Sequence, residues 1–237
     1  MVSGMLFLNA SNTSPTASVE SGFDLIFEDS ALLVFNKPSG LLSVPGKGPE
    51  KADCLRTRVQ QVYPEALTVH RLDMSTSGIL LMARSAELHR HLSIAFANRE
   101  VEKRYVAVVA GQVAGNPPDS PADVWQLIDK PIATDWINRP LQKIDACEGK
   151  ASQTRYRVLS YDDAHDSTRL ELAPVTGRTH QLRVHLQSIG HSILGDHLYA
   201  SAEVQAKSAR LMLHASELHL AHPVTGKPLA FQCDCPF

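Results

Sequence analysis

The order of apolar and polar residues along this chain predicts more β-strands than helices. In the segments 155–158 and 169–172, apolar residues alternate with arginine or glutamate, which is the pattern of a strand with one buried face. Further strands are predicted over residues 25–28, 32–36, 68–70, 78–83, 105–109, 211–214 and 229–232.

Apolar residues at helical spacing predict three short helices between these strands. Asp53, Ser85 and Thr179 each stand where an N-cap is expected. The apolar stripes after these caps are Leu55, Val59 and Val62, then Leu88, Leu92 and Phe96, and finally Leu182, Leu186 and Ile189. Because the strands do not alternate regularly with the helices, we expect an α+β fold with a mostly antiparallel mixed sheet.

Residues 1–20 are rich in serine, threonine, asparagine and alanine without apolar periodicity, so they are expected to form a flexible tail. Residues 21–237 are expected to form one catalytic domain. Within it, the segment 111–121 holds glycine, asparagine, aspartate and three prolines, which is typical of a surface loop or of a junction between two halves.

Composition narrows the class of protein. The 237 residues are 43% hydrophobic, and no apolar run reaches the roughly 18 residues that span a bilayer, so no membrane association is expected. Four cysteines, most of them far apart, do not suggest a disulfide framework, and we expect a cytoplasmic protein. The formal net charge of −2 gives no support for nucleic-acid binding, which must therefore be argued from local residues.

The segment 70–78 is the first candidate for chemistry. It presents Arg71, Asp73 and three hydroxyl side chains in a loop between a strand and a buried strand, and catalytic groups often occupy such loops. The alternative is an Asx-turn in which Asp73 only caps the local backbone.

The segment 174–185 is the second candidate. A glycine at a strand end followed by a helix start exposes backbone N–H groups, and Arg178 could hold a carboxylate or a phosphate there. The alternative is a helix cap with solvated basic residues. Seven of the eleven histidines lie between His180 and His222, but their spacing matches no metal motif, so we expect no metal.

Four motifs occur in order, over residues 70–78, 103–111, 172–199 and 213–226. They resemble the catalytic-aspartate, tyrosine, arginine and closing motifs of the RluA family of pseudouridine synthases. The resemblance implies a pseudouridine synthase fold with flanking helices, a central catalytic cleft and no cofactor. Residues 37–46 and 135–140 are similar to a subgroup that modifies both a tRNA anticodon stem-loop and a 23S rRNA hairpin loop.

The resemblance also implies roles for individual residues. Asp73 is the expected nucleophile or base, and its target atom cannot be derived from the sequence. Arg178 is expected to pair with Asp73 and keep it ionised, while Tyr105 lies against the uracil and helps to remove the C5 proton.

Three further residues are expected to contact the RNA. Arg71 enters the gap left by the flipped base, Leu182 forms an apolar wall of the pocket, and His70 belongs to the same surface. Many relatives carry an additional S4-type RNA-binding domain, which is expected to be absent here, and we expect a monomer. Two other functions stay open: an inactive RNA-binding module of the same fold, and a metal-dependent hydrolase built on the histidine-rich half.

Overall fold

The computed structural model describes residues 7–9, 22–114 and 124–237. The strands are β1 (Phe7–Asn9), β2 (Asp24–Glu28), β3 (Leu32–Lys37), β4 (Leu67–Thr68), β5 (Ser77–Ala83), β6 (Glu102–Ala110), β7 (Gln126–Asp129), β8 (Ile132–Thr134), β9 (Gln142–Ile144), β10 (Gln153–Asp162), β11 (Ser167–Pro174), β12 (Leu213–Ala221) and β13 (Pro228–Gln232). The helices are α1 (Leu55–Gln60), α2 (Ala86–Ala97), α3 (Gln181–Ser188) and α4 (Ala202–Ala206), and Pro49–Lys51 forms a 3-10 turn.

The chain divides into two compact units, and the first comprises Met1–Lys103 with His214–Pro236. Its strands are ordered β2-β3-β5-β12-β13, and β4 also pairs with β5. Every neighbouring pair in this order is antiparallel except β5 with β12. All seven residues of β5 are buried, because apolar side chains cover both of its faces.

The second unit comprises Arg104–Leu213 with Phe237. Its main strands are ordered β6-β11-β10-β7, and all of these pairs are antiparallel. A separate hairpin pairs β8 with β9. The apolar residues of helix α3 are buried in this unit. Leu182 and Leu186 belong to the same apolar core as Ala107 of β6 and Leu172 of β11. The α+β class with a mostly antiparallel mixed sheet is therefore confirmed.

Two predicted helix caps are wrong. The N-cap of α1 is Cys54, and the side chain of Cys54 and that of Thr57 each accept the other residue's backbone amide. Asp53 does not cap the helix because its carboxylate pairs with Arg58 at 2.7 Å. The N-cap of α3 is His180 rather than Thr179, and no side chain caps this helix. The prediction that Ser85 is an N-cap is confirmed, since its hydroxyl accepts the backbone amide of Leu88 in the first turn of α2 at 3.2 Å.

Other boundaries shift by a few residues. The strand predicted from Leu211 begins at Leu213, and α1 ends at Gln60, which leaves Val62 exposed. Within the expected tail, Phe7–Asn9 pairs in parallel with β13, and the rest of residues 1–20 lies outside the described part. The same is true of residues 115–121 of the predicted loop. In the described segments, no helix has the length and apolar character needed to cross a membrane.

One glycine determines how β5 meets β12. Gly78 has a φ of 110° and pairs with Ala215 across the parallel ladder. A Cβ atom at this position would lie 2.6 Å from the backbone nitrogen of Ala215 and even closer to its carbonyl oxygen. Glycine is therefore required both by the dihedral angle and by the close approach of the backbone.

We expect Gly78→Ala to lower the free energy of unfolding by about 3 kcal/mol or more, because strain and a backbone clash add together. Gly226→Ala is the matched control: Gly226 also has a positive φ, of 68°, but nothing lies within 4 Å of its added Cβ. The control should lose only about 1 kcal/mol. Urea unfolding measures both, and equal losses would contradict the role of the close approach.

Candidate active site

Asp73 lies on a loop of the first unit that leads from β4 into β5. Its side chain is partly exposed, whereas the neighbouring Leu72 is buried and Arg71 is exposed. The amide of Thr76 donates to the carbonyl oxygen of Asp73 at 3.1 Å, which closes a turn around the carboxylate. The loop therefore places an acid and a cation, two residues apart, at the surface of a rigid sheet.

A second loop, residues 37–43, fixes the backbone on both sides of Asp73. On one side, the Ser43 hydroxyl donates to the Leu72 carbonyl at 2.7 Å and accepts the Leu72 amide at 3.1 Å. On the other, the Gly40 amide donates to the Met74 carbonyl at 2.8 Å. The main chain on both sides of Asp73 is therefore held by hydrogen bonds from the second loop.

The buried ammonium group of Lys37 holds the same two loops together. Its Nζ donates to the carbonyl oxygens of Pro38 at 2.8 Å, Leu41 at 2.7 Å and Met74 at 3.1 Å. The side chain is fully buried at the end of β3. Charge-assisted bonds of this kind are stronger than bonds between neutral groups, so Lys37 helps to hold the Asp73 loop in place.

His70 is fixed where the chain leaves the strand. Its Nε2 accepts the amide of Leu81 at 3.1 Å, and its ring stacks on Phe96 with 4.8 Å between centroids. Burial, together with the charge of Lys103, lowers the pKa of His70 to about 3. The ring is therefore neutral at pH 7 and has a structural use; the contact with RNA expected from the sequence stays a prediction.

A buried pair at the start of β5 continues this framework. The Ser77 hydroxyl lies 2.8 Å from His214 Nδ1, and His214 Nε2 lies 3.3 Å from the carbonyl oxygen of Cys233. Because a carbonyl oxygen only accepts, Nε2 carries the proton and Nδ1 accepts the hydroxyl of Ser77. These bonds tie the strand that follows Asp73 to β12.

The other predicted site residues lie in the second unit. Tyr105 is a partly buried residue of β6, stands opposite Leu172 of β11, and packs against the same apolar core that contains Leu182 of α3. Arg178 lies in the turn before α3 and is exposed. Asp73, Arg71 and His70 are thus grouped in one unit, and Tyr105, Arg178 and Leu182 in the other.

Gln181 builds the turn that carries Arg178. Its Oε1 accepts the hydroxyl of Thr176 at 2.7 Å and the amide of Arg178 at 3.0 Å. Its Nε2 donates to the carbonyl of Gln153 at 2.9 Å and to the hydroxyl of Thr154 at 3.0 Å. All of the hydrogen bonds of this buried side-chain amide are satisfied, so it favours a single path of the backbone. The turn before α3 is therefore stable although Thr179 does not cap the helix.

The two arginines of this segment differ sharply in environment. The guanidinium of Arg178 has one long bond, of 3.4 Å, to the carbonyl oxygen of Ala151. Arg183, in α3, is 2% exposed and forms a bidentate pair with Asp196, at 2.7 Å and 2.5 Å. Arg178 is thus a cation at the surface, whereas Arg183 is a buried cation for which the sequence predicted no separate role.

Asp196 is held ionised against its own burial. Burial alone raises its pKa, but bonds from Arg183 and from the amides of Leu198 and Tyr199 outweigh this effect and lower the pKa. The Tyr199 ring lies 5.1 Å from the guanidinium of Arg183, and its hydroxyl bonds to His180 Nδ1 at 2.7 Å. No signal in the sequence predicted this network, because Arg183 is not part of the predicted apolar stripe and Asp196 lies beyond the end of the helix.

The histidines of the second half are engaged in separate bonds. His185 bonds to Thr154 and to the carbonyl of Lys130, and His191 bonds to the carbonyl of Ala110. His222 bonds to Asp29 at 2.8 Å. Among the residues that the structure describes, no group of three metal-ligating side chains comes together.

Comparisons with known proteins identify the family to which the chain belongs. The family model described as RNA pseudouridylate synthase matches residues 31–188. The dual-specificity RNA pseudouridine synthase RluA of Yersinia pestis is 47% identical over 213 residues, 90% of this chain and 99% of the relative. The protein of the same name in Escherichia coli K12 is 46% identical, over 90% and 93% of the two chains.

A solved structure supports the same fold. Human RNA Pseudouridylate Synthase Domain Containing 1 matches with a TM-score of 0.73 and 27% identity, over 90% of this chain and 83% of the human one. The chain therefore belongs to the RNA pseudouridylate synthase family. Its reaction is the isomerisation of uridine in RNA to pseudouridine.

The two arginines should respond differently to truncation. Arg183→Ala leaves the carboxylate of Asp196 buried without its cation, so we expect a loss of about 3–5 kcal/mol in the free energy of unfolding. Arg178→Ala, at an exposed position in the same segment, should change it by less than about 0.5 kcal/mol. Urea unfolding measures both; a similar loss in the two variants would contradict the assigned environments.

Proposed function

We propose that this chain modifies a uridine in a short RNA hairpin loop. The leading substrate is a tRNA anticodon stem-loop, and the second is a hairpin loop of 23S rRNA. One observation carries the proposal: Asp73 lies on a loop whose backbone is bound on both sides, with Arg71 exposed two residues before it. Two relatives named dual-specificity synthases match over more than nine tenths of their length, which supports two substrates rather than one.

The reaction begins with a uridine outside the helical stack, because the glycosidic bond is not accessible inside it. The bond from ribose C1′ to N1 breaks, the uracil turns, and C5 bonds to C1′. C5 then loses its proton and N1 gains one, so substrate and product are isomers. No electron is transferred and no bond is hydrolysed, so the chemistry requires neither a redox group nor a metal.

In this proposal, Asp73 acts as the nucleophile or base, because the backbone that carries its carboxylate is held on both sides while the base moves. Tyr105 lies against the uracil and assists removal of the C5 proton. Leu182 supplies apolar surface beside the ring.

Arg71 is suited to the gap left by the flipped base. It is exposed, and among the described residues no carboxylate pairs with it. A planar guanidinium can stack on the neighbouring bases and hydrogen-bond to their edges at the same time. Such an insertion favours a reshaped loop over a continuous helix.

In this proposal, Arg178 is the cation that pairs with Asp73. Its side chain is exposed in this protein, whereas a cation acts most strongly in a poorly solvated pocket, so the pair requires that bound RNA excludes water around it. Arg178→Ala should therefore lower the rate by several orders of magnitude at unchanged stability. A rate near that of the parent would show that the pair does not exist.

Asp73→Asn should abolish detectable pseudouridine formation while leaving the free energy of unfolding nearly unchanged, because the amide has the same shape but no charge. Tritium release from RNA labelled at uracil C5 measures the rate. Asp163→Asn, at an exposed aspartate in a turn of the second unit, is the control and should keep parental activity. Turnover of Asp73→Asn within tenfold of the parent would sink the assignment.

Substrate choice should follow from loop shape. With a net charge of −2, long-range phosphate contacts are few, so recognition must be concentrated near the reacting base. A stem-loop of about 17 nucleotides should react nearly as fast as whole tRNA, and the same uridine in a perfect duplex hardly at all. Equal rates on duplex and stem-loop, or activity on intact tRNA alone, would contradict recognition of the loop.

The same assay separates the alternative of an inactive RNA-binding module. Such a protein binds the stem-loop but releases no tritium. Its affinity for the stem-loop changes equally little in Asp73→Asn and in Asp163→Asn. The monomeric state and the cytoplasmic location expected from the sequence stay predictions; the size of the protein in solution with and without RNA tests the first of them.

A further inference from the structure

The turn between β8 and β9 exposes two large apolar side chains. Trp136 is 70% exposed and Ile137 is 93% exposed. Leaving a side chain of this size in water forgoes roughly 1.5–3 kcal/mol of burial free energy, and adjacent residues of this kind are a common mark of a binding surface. We call residues 135–140 the tryptophan turn.

Hydrogen bonds within the tryptophan turn fix its conformation. The Asp135 carboxylate accepts the backbone amide of Asn138 at 3.2 Å and its side-chain amide at 2.8 Å. At the base, the Asp135 amide donates to the carbonyl of Leu141 at 3.0 Å, and the Gln142 amide donates to the Tyr199 hydroxyl at 2.9 Å. The exposed side chains thus stand on a pre-organised support, which lowers the entropy lost on binding.

Arg139 covers one side of the exposed indole. Its guanidinium carbon lies 3.6 Å from the centroid of the Trp136 ring. In the described part of the chain no carboxylate pairs with Arg139: Asp135 is bonded to Asn138, and Asp145 to Lys143 at 3.1 Å. The turn therefore presents an aromatic face next to a cation whose charge is not neutralised.

The other tryptophan shows the contrasting case. Trp125 is partly buried, and the guanidinium groups of Arg104 and Arg157 lie 4.9 Å and 5.1 Å from its ring. Both arginines also approach Glu171. Trp125 thus belongs to a cluster in which Glu171 lies near both arginines. Trp136, in contrast, is exposed next to a cation that has no carboxylate partner in the described part of the chain.

We propose that the tryptophan turn is a second RNA-binding element, separate from the Asp73 loop. Trp136 stacks on an unpaired base, and the guanidinium of Arg139 bonds to an adjacent phosphate. A single-stranded loop is the partner that matches this chemistry, because every base has a stacking face and each is joined to a phosphate. The inference rests on the proposed function, since it assumes an RNA hairpin as the substrate.

Fluorescence provides a test that does not depend on catalysis. The chain has two tryptophans, so Trp125→Phe leaves Trp136 as the only tryptophan, and its emission is separated from that of the five tyrosines by excitation at the long-wavelength edge of indole absorption. Titrating this variant with the unlabelled stem-loop should quench the Trp136 emission saturably, because a stacked base is close to the indole. A perfect duplex of equal length should produce little quenching. An emission that does not change while the RNA binds would overturn the proposal.

Kinetics provides the second test. Trp136→Ala should raise KM for the stem-loop on the order of 5- to 150-fold, with kcat close to that of the parent. Arg139→Ala should raise KM less, and should lower the slope of binding against log salt by about 1, as expected for one lost phosphate contact. Leu159→Ala, at an exposed apolar residue of the same unit, is the control and should leave KM unchanged.

The outcomes distinguish the two proposals. If the parent releases tritium and Trp136→Ala keeps the parental KM, the tryptophan turn is not an RNA contact and the proposed function stands. If the parent releases no tritium from any RNA, the proposed function fails, whatever the turn does. If Trp136→Ala abolishes binding of the protein to another protein but not to the stem-loop, the partner is a protein and the inference is wrong.

Discussion

The arrangement of the candidate site depends on the ammonium group of Lys37. An ammonium removed from water is costly unless acceptors replace the lost solvent, and three carbonyl oxygens do so here. Two of them belong to the loop after β3 and the third to Met74, directly after Asp73. Moving the Asp73 loop away would leave the charge under-coordinated, so the position of the carboxylate is tied to the solvation of a buried cation.

The second unit uses the same principle with different groups. The bidentate pair of Arg183 and Asp196, together with the four bonds of Gln181, determines the path of the chain around the start of α3. Breaking one partner of such a network leaves a buried charge or an unsatisfied amide, so the alternatives are high in energy. In both units, buried polar groups fix the backbone, whereas Arg71 and Arg178 are exposed to solvent.

The sequence predicted those features that depend on local periodicity. The buried strand β5 and the Ser85 cap follow from apolar runs and from one hydroxyl at a helix start. The predictions that Asp53 and Thr179 cap helices were wrong because other side chains compete for these roles. The carboxylate of Asp53 pairs with Arg58, and the Gln181 side chain, instead of Thr179, organises the turn before α3. The different burial of Arg178 and Arg183 could not be derived either, since it depends on Asp196, thirteen residues beyond Arg183.

The net charge of the chain does not describe which of its cations are exposed. Most RNA-binding surfaces are basic, yet this chain has 25 acidic against 23 basic side chains. Internal ion pairs remove charges of both signs, as in the pairs of Arg58 with Asp53, of Arg84 with Glu28 and Glu65, and of Arg183 with Asp196. These pairs leave the balance nearly unchanged, so what matters for a ligand is where the remaining cations lie. Under the two proposals, Arg71 and Arg139 are such cations, and a short folded RNA would be selected by where its bases and phosphates lie and not by bulk attraction.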